Sequence, residues 1–99
     1  FYVTNVPCGM KRGDHSHYNT QQLLICVKGK IEVNLHDGNR WESTILTEHE
    51  SIFVDKLVWD NQMFHTEDSM LLVLCSTEFD KSDYILDFDK FKELSKITV

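Results

Sequence analysis

Short apolar runs with a period of two, broken by brief turns, constrain this chain more than any other feature of it. Ile31, Val33 and Leu35 alternate with Glu32, Asn34 and His36. Alternate side chains of a strand share a face, so the segment reads as a half-buried strand. Trp41 to Leu46 is a second. Between them His36-Asp37-Gly38-Asn39 has the Asp-Gly signal of a tight hairpin, whose two central residues both need positive φ. Gln22 to Val27 and Met70 to Ser76 are continuous apolar runs, predicted as strands buried on both faces. Lys28-Gly29-Lys30 turns the first of them into the next strand. Ile52-Phe53-Val54 and Leu57-Val58-Trp59 add two short runs. About six or seven such strands predict an all-β sandwich or small barrel.

Near the C-terminus the period changes. Tyr84, Phe88, Phe91 and Leu94 recur at helical spacing, with Ser82 or Asp80 placed to cap the first turn. Lys90, Lys92 and Lys96 fall late, where the helix dipole favours cations. The aromatic stripe is expected to face the core. With 99 residues there is room for one core, hence one domain over residues 1–99. Because Phe1-Tyr2-Val3 opens within a strand-like segment, natural N-terminal strands are expected to precede it.

A net charge of -6 argues against a nucleic-acid surface, which needs a basic stripe. No apolar run approaches the ~20 residues of a bilayer-spanning helix. Cys8, Cys26 and Cys75 contain no CxxC pair, and the last two lie in apolar runs. They read as reduced core thiols of a cytoplasmic protein.

His15-Ser16-His17 is the most informative triplet. On a strand both imidazoles enter one space, with Asp14 and Ser16 facing the other way. Such a pair serves as metal ligands, as proton handlers, or merely as the filling of a barrel mouth. Five residues separate Gly9 from His15, four separate His17 from Gln22, and six separate Gln22 from Gly29. The adjacent Lys11 and Arg12 are the obvious place for an anion in an acidic chain, since arginine's planar fork matches phosphate oxygens; two solvated charges would read the same way. His36, His49 and His65 are predicted at the surface or rim, and Asp80, Asp83, Asp87 and Asp89 are too scattered around the predicted helix to form an acid–base pair.

That spacing resembles the first motif of the cupin barrels, with Gln22 in place of the usual glutamate. Cupins that hold a metal take two histidines and a glutamate from this motif and a third histidine from a second. Here the acidic ligand is an amide, and residues 51–62 contain no histidine. Few ligands remain for a divalent ion, which favours metal-free use of the pair.

The run Arg12-Gly13-Asp14-His15-Ser16-His17, then Gln21 to Gly29, resembles the WxcM-like family of sugar-nucleotide 3,4-ketoisomerases, whose patterns read RGxHAHK and QxLxCVxG. The likeness continues in order through Asp37-Gly38, Val58-Trp59, residues 64–76 and the segment from Asp83 to Phe91. Tyr18, Ser16, Asp55-Lys56 and Leu86 depart from the family pattern.

The resemblance implies a small cupin (jelly-roll) barrel with a short C-terminal helix. It also implies a homodimer whose N-terminal strands are often exchanged between subunits, and no metal or other cofactor. The implied reaction converts dTDP-4-keto-6-deoxyglucose to its 3-keto isomer, on the way to amino-deoxysugars of surface polysaccharides. By the matching position His15 is the base at C3, and His17 orients the sugar, stabilises the enediolate or relays the proton. Arg12 would hold a phosphate or sugar oxygen, with Tyr2 and Gln22 as hydrogen-bonding groups. Trp59 is expected either on the substrate or in the core. Two rivals belong to other classes: a metal-dependent cupin enzyme and a non-catalytic sugar-nucleotide-binding cupin.

Overall fold

The computed structural model describes residues 1–5 and 8–97, the side chains of Tyr2, Lys96 and Ile97 excepted. Nine strands and one helix follow in order: β1 (Tyr2–Asn5), β2 (Lys11–His17), β3 (Gln22–Lys28), β4 (Ile31–His36), β5 (Trp41–Leu46), β6 (Ser51–Val54), β7 (Trp59–Phe64), β8 (Met70–Cys75), β9 (Tyr84–Ile85) and α1 (Phe88–Ile97). They form two antiparallel sheets, ordered β1-β8-β3-β6 and β5-β4-β7-β2-β9. The architecture is the expected all-β jelly roll with a short C-terminal helix. Its core is the space between the sheets, filled by Leu24, Cys26, Ile31, Val33, Phe64 and Leu71, each 1% exposed or less.

Period two decides what each strand buries. β4 turns Ile31 and Val33 inward, as its alternation predicts. β3 and β8 differ from expectation: their apolar runs are covered on one face only. Leu24, Cys26, Leu71 and Val73 point into the core, while Leu74 is 39% exposed on the outer face and the neighbouring Phe53 of β6 is 54% exposed. The loop after β4 also departs from the tight hairpin. His36 pairs with Trp41, so four residues intervene; only Gly38 has positive φ, and the Asp37 carboxylate accepts from the backbone N–H of Asn39 and Arg40. Leu57 lies in a turn at φ 59°, and its strand starts at Trp59.

The helix begins four residues later than its aromatic spacing predicts. The Asp87 carboxylate accepts from the N–H groups of Asp89 and Lys90 and so caps α1. Asp80 caps a 3-10 turn instead, and Tyr84 pairs with His17 on the sheet. α1 covers the back of the second sheet, where Phe91 is fully buried against Trp59 and Ile85. His36, expected at the surface, is 6% exposed. Its ring lies 5.0 Å from Trp41 and 5.1 Å from Phe88, and its Nδ1 accepts the Gly38 N–H at 3.0 Å. The strand's outward face is therefore roofed by a helix, which alternation alone does not reveal.

Burial holds the His36 imidazole below its ordinary value of 6.5. The unfolded chain then binds this proton more readily, so the contribution is fully present above that value and is lost as pH falls through the folded one. His36→Asn, with an acceptor in place of Nδ1, is expected to lower the melting temperature at neutral pH. It should also flatten the fall in melting temperature between about pH 7 and pH 5, read by thermal denaturation.

Candidate active site

β2 and β7 build the site together. β7 alternates, sending Asp60 and Gln62 toward the interior and Trp59 toward α1. Opposite it, Arg12 pairs with Gln62 and Gly13 with Asn61, but the next partner of Asp60 is His15. Asp14 is an extra residue in β2, and a bulge of this kind resets which face the following side chains occupy. Gly13 and Asp14 both take left-handed backbone, at φ 89° and 64°. The bulge is pinned from outside: Asp14 Oδ1 accepts from Asn61 Nδ2 at 3.0 Å, and Lys11 Nζ lies 3.4 Å from Oδ2.

Three positions separate Arg12 from His15, which on a regular strand would put them on opposite faces. The bulge brings both to one cavity of about 420 Å³, shared with Thr4, Gln22, Asp60 and Gln62. Lys11 goes to the outer face, in a groove with Asn34 and Trp41, so the adjacent basic pair is divided. Only Arg12 faces the histidines' side.

His17 lines an adjoining cavity of about 150 Å³ with Cys75, Phe79 and Tyr84, and Gln22 borders both spaces. The rings of His15 and His17 are 5.0 Å apart, and Tyr84 touches both, at 4.9 and 4.6 Å. Burial lowers the His15 imidazole, opposed by its Gly13 hydrogen bond and by Asp14. Burial, and then the neighbouring His15, bring His17 down to about 4. Both rings are therefore neutral near pH 7 and can accept a proton. Among the described residues no three His, Cys, Asp or Glu side chains gather to hold a metal ion.

Three contributors escaped the sequence reading. Tyr84 shares the spacing of the helical stripe but belongs to β9, beside the histidines. Asp83, 8% exposed, accepts from the backbone N–H of Asn19 and Thr20 and from both their side chains, which fastens the turn that follows His17. Burial pushes its carboxyl up, but the Thr20 and Asn19 hydrogen bonds outweigh this and the net shift is down. Asp60, 1% exposed, sits directly across from His15. The signals were available for Asp83 and Tyr84, because both lie in the Asp83-to-Phe91 segment; nothing local marks Asp60.

Of the two places expected for it, Trp59 takes the core and not the substrate side. It is 5% exposed, packs on Phe88 and Phe91 at 5.1 and 5.7 Å, and lines neither cavity, because its strand position points at α1. The Tyr2 side chain lies outside the described residues. His49 is exposed, and His65 is a surface partner of Glu32 at 3.0 Å. The three cysteines are free; Cys26 is in the core, Cys75 on a cavity wall and Cys8 exposed.

Gly13 is required at the bulge. A Cβ there would lie 2.9 Å from Asn61 Cα and from the Asp60 carbonyl oxygen, at a φ that disfavours any side chain. Gly13→Ala is expected to lower stability by about 1–3 kcal/mol, measured as a shift of the urea midpoint at unchanged m-value.

Comparison with known proteins places the chain in a family. Residues 1–96 match the FdtA family, WxcM-like, C-terminal. A TDP-4-oxo-6-deoxy-alpha-D-glucose-3,4-oxoisomerase of Aneurinibacillus thermoaerophilus is 32% identical over 101 residues, covering 100% of this chain and 73% of the relative. Among solved structures, QdtA, a sugar 3,4-ketoisomerase from Thermoanaerobacterium thermosaccharolyticum in complex with TDP, superposes with a TM-score of 0.92 at 30% identity. The match covers 98% of this chain and 72% of QdtA. A His-to-Asn variant of that enzyme in complex with TDP-4-keto-6-deoxyglucose matches with a TM-score of 0.92 at 30% identity, over 97% of this chain and 71% of the variant. Matched by the family model over residues 1–96 and 32% identical to a relative across its whole length, the chain belongs to the FdtA family, WxcM-like, C-terminal.

Proposed function

We propose that this chain is a sugar-nucleotide 3,4-ketoisomerase. It moves the keto group of a dTDP-linked 4-keto-6-deoxyhexose from C4 to C3 by metal-free proton transfer, in deoxysugar biosynthesis for surface polysaccharide. The observation that supports it most is the neutral pair His15 and His17, 5.0 Å apart, beside a cavity that also takes in Arg12. The substrate is carried over from the relatives, which include a TDP-4-oxo-6-deoxyglucose 3,4-oxoisomerase and a ketoisomerase holding TDP-4-keto-6-deoxyglucose.

The chemistry asks little of the protein. A carbonyl at C4 acidifies the hydrogen on C3, so a base, a stabilised enediolate and proton return at C4 complete the reaction. His15 is the base, because its ring is neutral and lines the larger cavity. His17 orients the sugar or relays the proton from the adjoining space. Arg12 holds a phosphate or sugar oxygen through its guanidinium fork. The Gln22 amide, bordering both cavities, supplies further hydrogen bonds.

The working unit is a homodimer. On the outer face of the first sheet Phe53, Leu23 and Leu74 form one cross-strand row, and Val3, Leu72 and Ile25 another. Val3 and Phe53 are 51% and 54% exposed, an apolar face suited to a second copy. Free thiols fit a cytoplasmic setting, and among the described residues no helix is long and apolar enough to cross a membrane.

His15→Asn is expected to reduce turnover by about 10²–10⁴-fold with KM little changed. Incubation with dTDP-4-keto-6-deoxyglucose in D2O, followed by NMR of the sugar ring, measures it; unchanged turnover removes His15 from the mechanism. In the active chain kcat/KM should hold level below the ordinary imidazole value of 6.5 and fall only as pH drops through the lowered ones. Phe53→Glu should shift the species seen in sedimentation velocity from dimer to monomer; a monomeric unaltered chain rejects the dimer.

A further inference from the structure

Asp60 is a buried acid to which the histidine mechanism gives no task. It is 1% exposed on the floor of the larger cavity, and its Oδ1 has no hydrogen-bond partner among the described residues. Among the described residues Oδ2 accepts only from Gln62 Nε2. Cross-strand partners on one face have Cβ atoms about 4.5–5.5 Å apart, and Asp60 is the partner of His15. Both residues line the larger cavity, so a substrate seated there can meet the imidazole and the carboxyl together.

We propose that Asp60 is a catalytic residue of the isomerisation, a neutral carboxylic acid that shuttles the oxygen-bound proton from O3 to O4 while His15 shuttles the carbon-bound one. This rests on the ketoisomerase reading and deepens it. In the first half, His15 takes the C3 proton, the C3–H pair becomes the C3=C4 bond, and the carbonyl pair moves onto O4, which takes the Asp60 proton. In the second half the Asp60 carboxylate takes the O3 hydroxyl proton, and that O–H pair forms the new carbonyl at C3. The C3=C4 pair then takes a proton at C4 from the His15 imidazolium. Both residues end as they began, and no oxidant or other reactant is consumed.

The surroundings suit the assignment. Burial raises the Asp60 carboxyl to about 7, its Gln62 hydrogen bond opposing the rise and the negative Asp14 adding to it. Of the charged or titratable groups around it, Arg12 and His15 from β2 share its cavity, while Asp14 from β2 and Tyr84 from β9 act on it through charge from beyond the cavity lining. β3 contributes Gln22 and Leu24 to the same cavity, and β4 pairs Leu35 with Asp60. Dehydration thus disfavours charge on both partners: the carboxyl holds its proton up to about neutral pH, and the imidazole is kept from taking one. Groups whose environments split their protonation in this way are the acid and the base of a site.

Asp60→Asn tests the shuttle, since the amide keeps the size and a hydrogen-bond donor but cannot release a proton. Formation of the 3-keto product from dTDP-4-keto-6-deoxyglucose is expected to fall about 10²–10⁴-fold with KM little changed. The unaltered chain should lose kcat as pH rises through about 7, and the variant should lack that alkaline limb. Turnover equal to the unaltered chain, or an alkaline limb that persists in the variant, overturns the shuttle alone. An unaltered chain that does not isomerise the sugar overturns the ketoisomerase reading beneath it. Infrared spectroscopy of the unaltered protein needs neither activity nor the variant's folding. The carbonyl stretch of a protonated carboxyl should be present near pH 6 and vanish on raising the pH. The other shifted carboxyls, Glu32, Asp37, Glu50, Asp55 and Asp83, all move the opposite way, so its absence overturns the assignment.

Discussion

One inserted residue sets the geometry of the site. β2 must present Arg12 and His15 to the same space, and three positions of regular strand would send them apart. Asp14 supplies the extra residue, Gly13 lets the two backbones approach, and Asn61 with Lys11 holds the bulge from outside. The side chains beyond it follow from that shift: His15 and His17 inward, Ser16 outward beneath the helix layer. Because register slips invert every face of a strand, the bulge acts on the whole wall and not on one residue.

The helix and Asp83 complete the restraint from the far side. Leu57 N–H donates to the His17 carbonyl at 2.8 Å, Tyr18 N–H to that of Asp83 at 3.0 Å, and the Asp83 carboxylate gathers the turn at Asn19 and Thr20. α1 seals the same sheet from behind through Phe91. The imidazoles thus project from a strand fixed at both ends, the kind of preorganisation that the proposed proton transfer needs.

Much of this was legible in the sequence, and the reasons for the rest are specific. Alternation in Ile31–Leu35 and the glycine-punctuated turns are local, so they survive into the fold. The HxH parity and the spacing from Gly9 to Gly29 are local too. What failed depends on which element covers a face. His36 looks like a surface residue, and Trp59 stays open between substrate and core, until α1 is laid over them; β3 and β8 look doubly buried because apolar content does not say whether a second layer exists. Tyr84 fell into helical phase with Phe88 by coincidence, and only the Asp87 cap shows where the helix starts. The bulge escaped because Gly13-Asp14 is as compatible with a plain turn as with two left-handed residues inside a strand. Asp60 escaped because its burial is a product of pairing with β2 and β4, distant in sequence.

Asp60 also bears on how fold and function trade against each other. A carboxyl with an orphan oxygen in the interior is a liability: leaving a buried polar group unsatisfied costs roughly 1–3 kcal/mol, and an apolar residue of similar volume at this position would serve the core better. The rest of β7 obeys the packing rules closely, with Phe64 fully buried and Asn61 hydrogen-bonded to both Asn34 and Asp14. A single violation in an otherwise consistent strand, placed opposite the one histidine that lines the larger cavity, has no stabilising rationale within the fold. If Asp60 shuttles the oxygen-bound proton, its cost to the fold is offset by what enters that cavity.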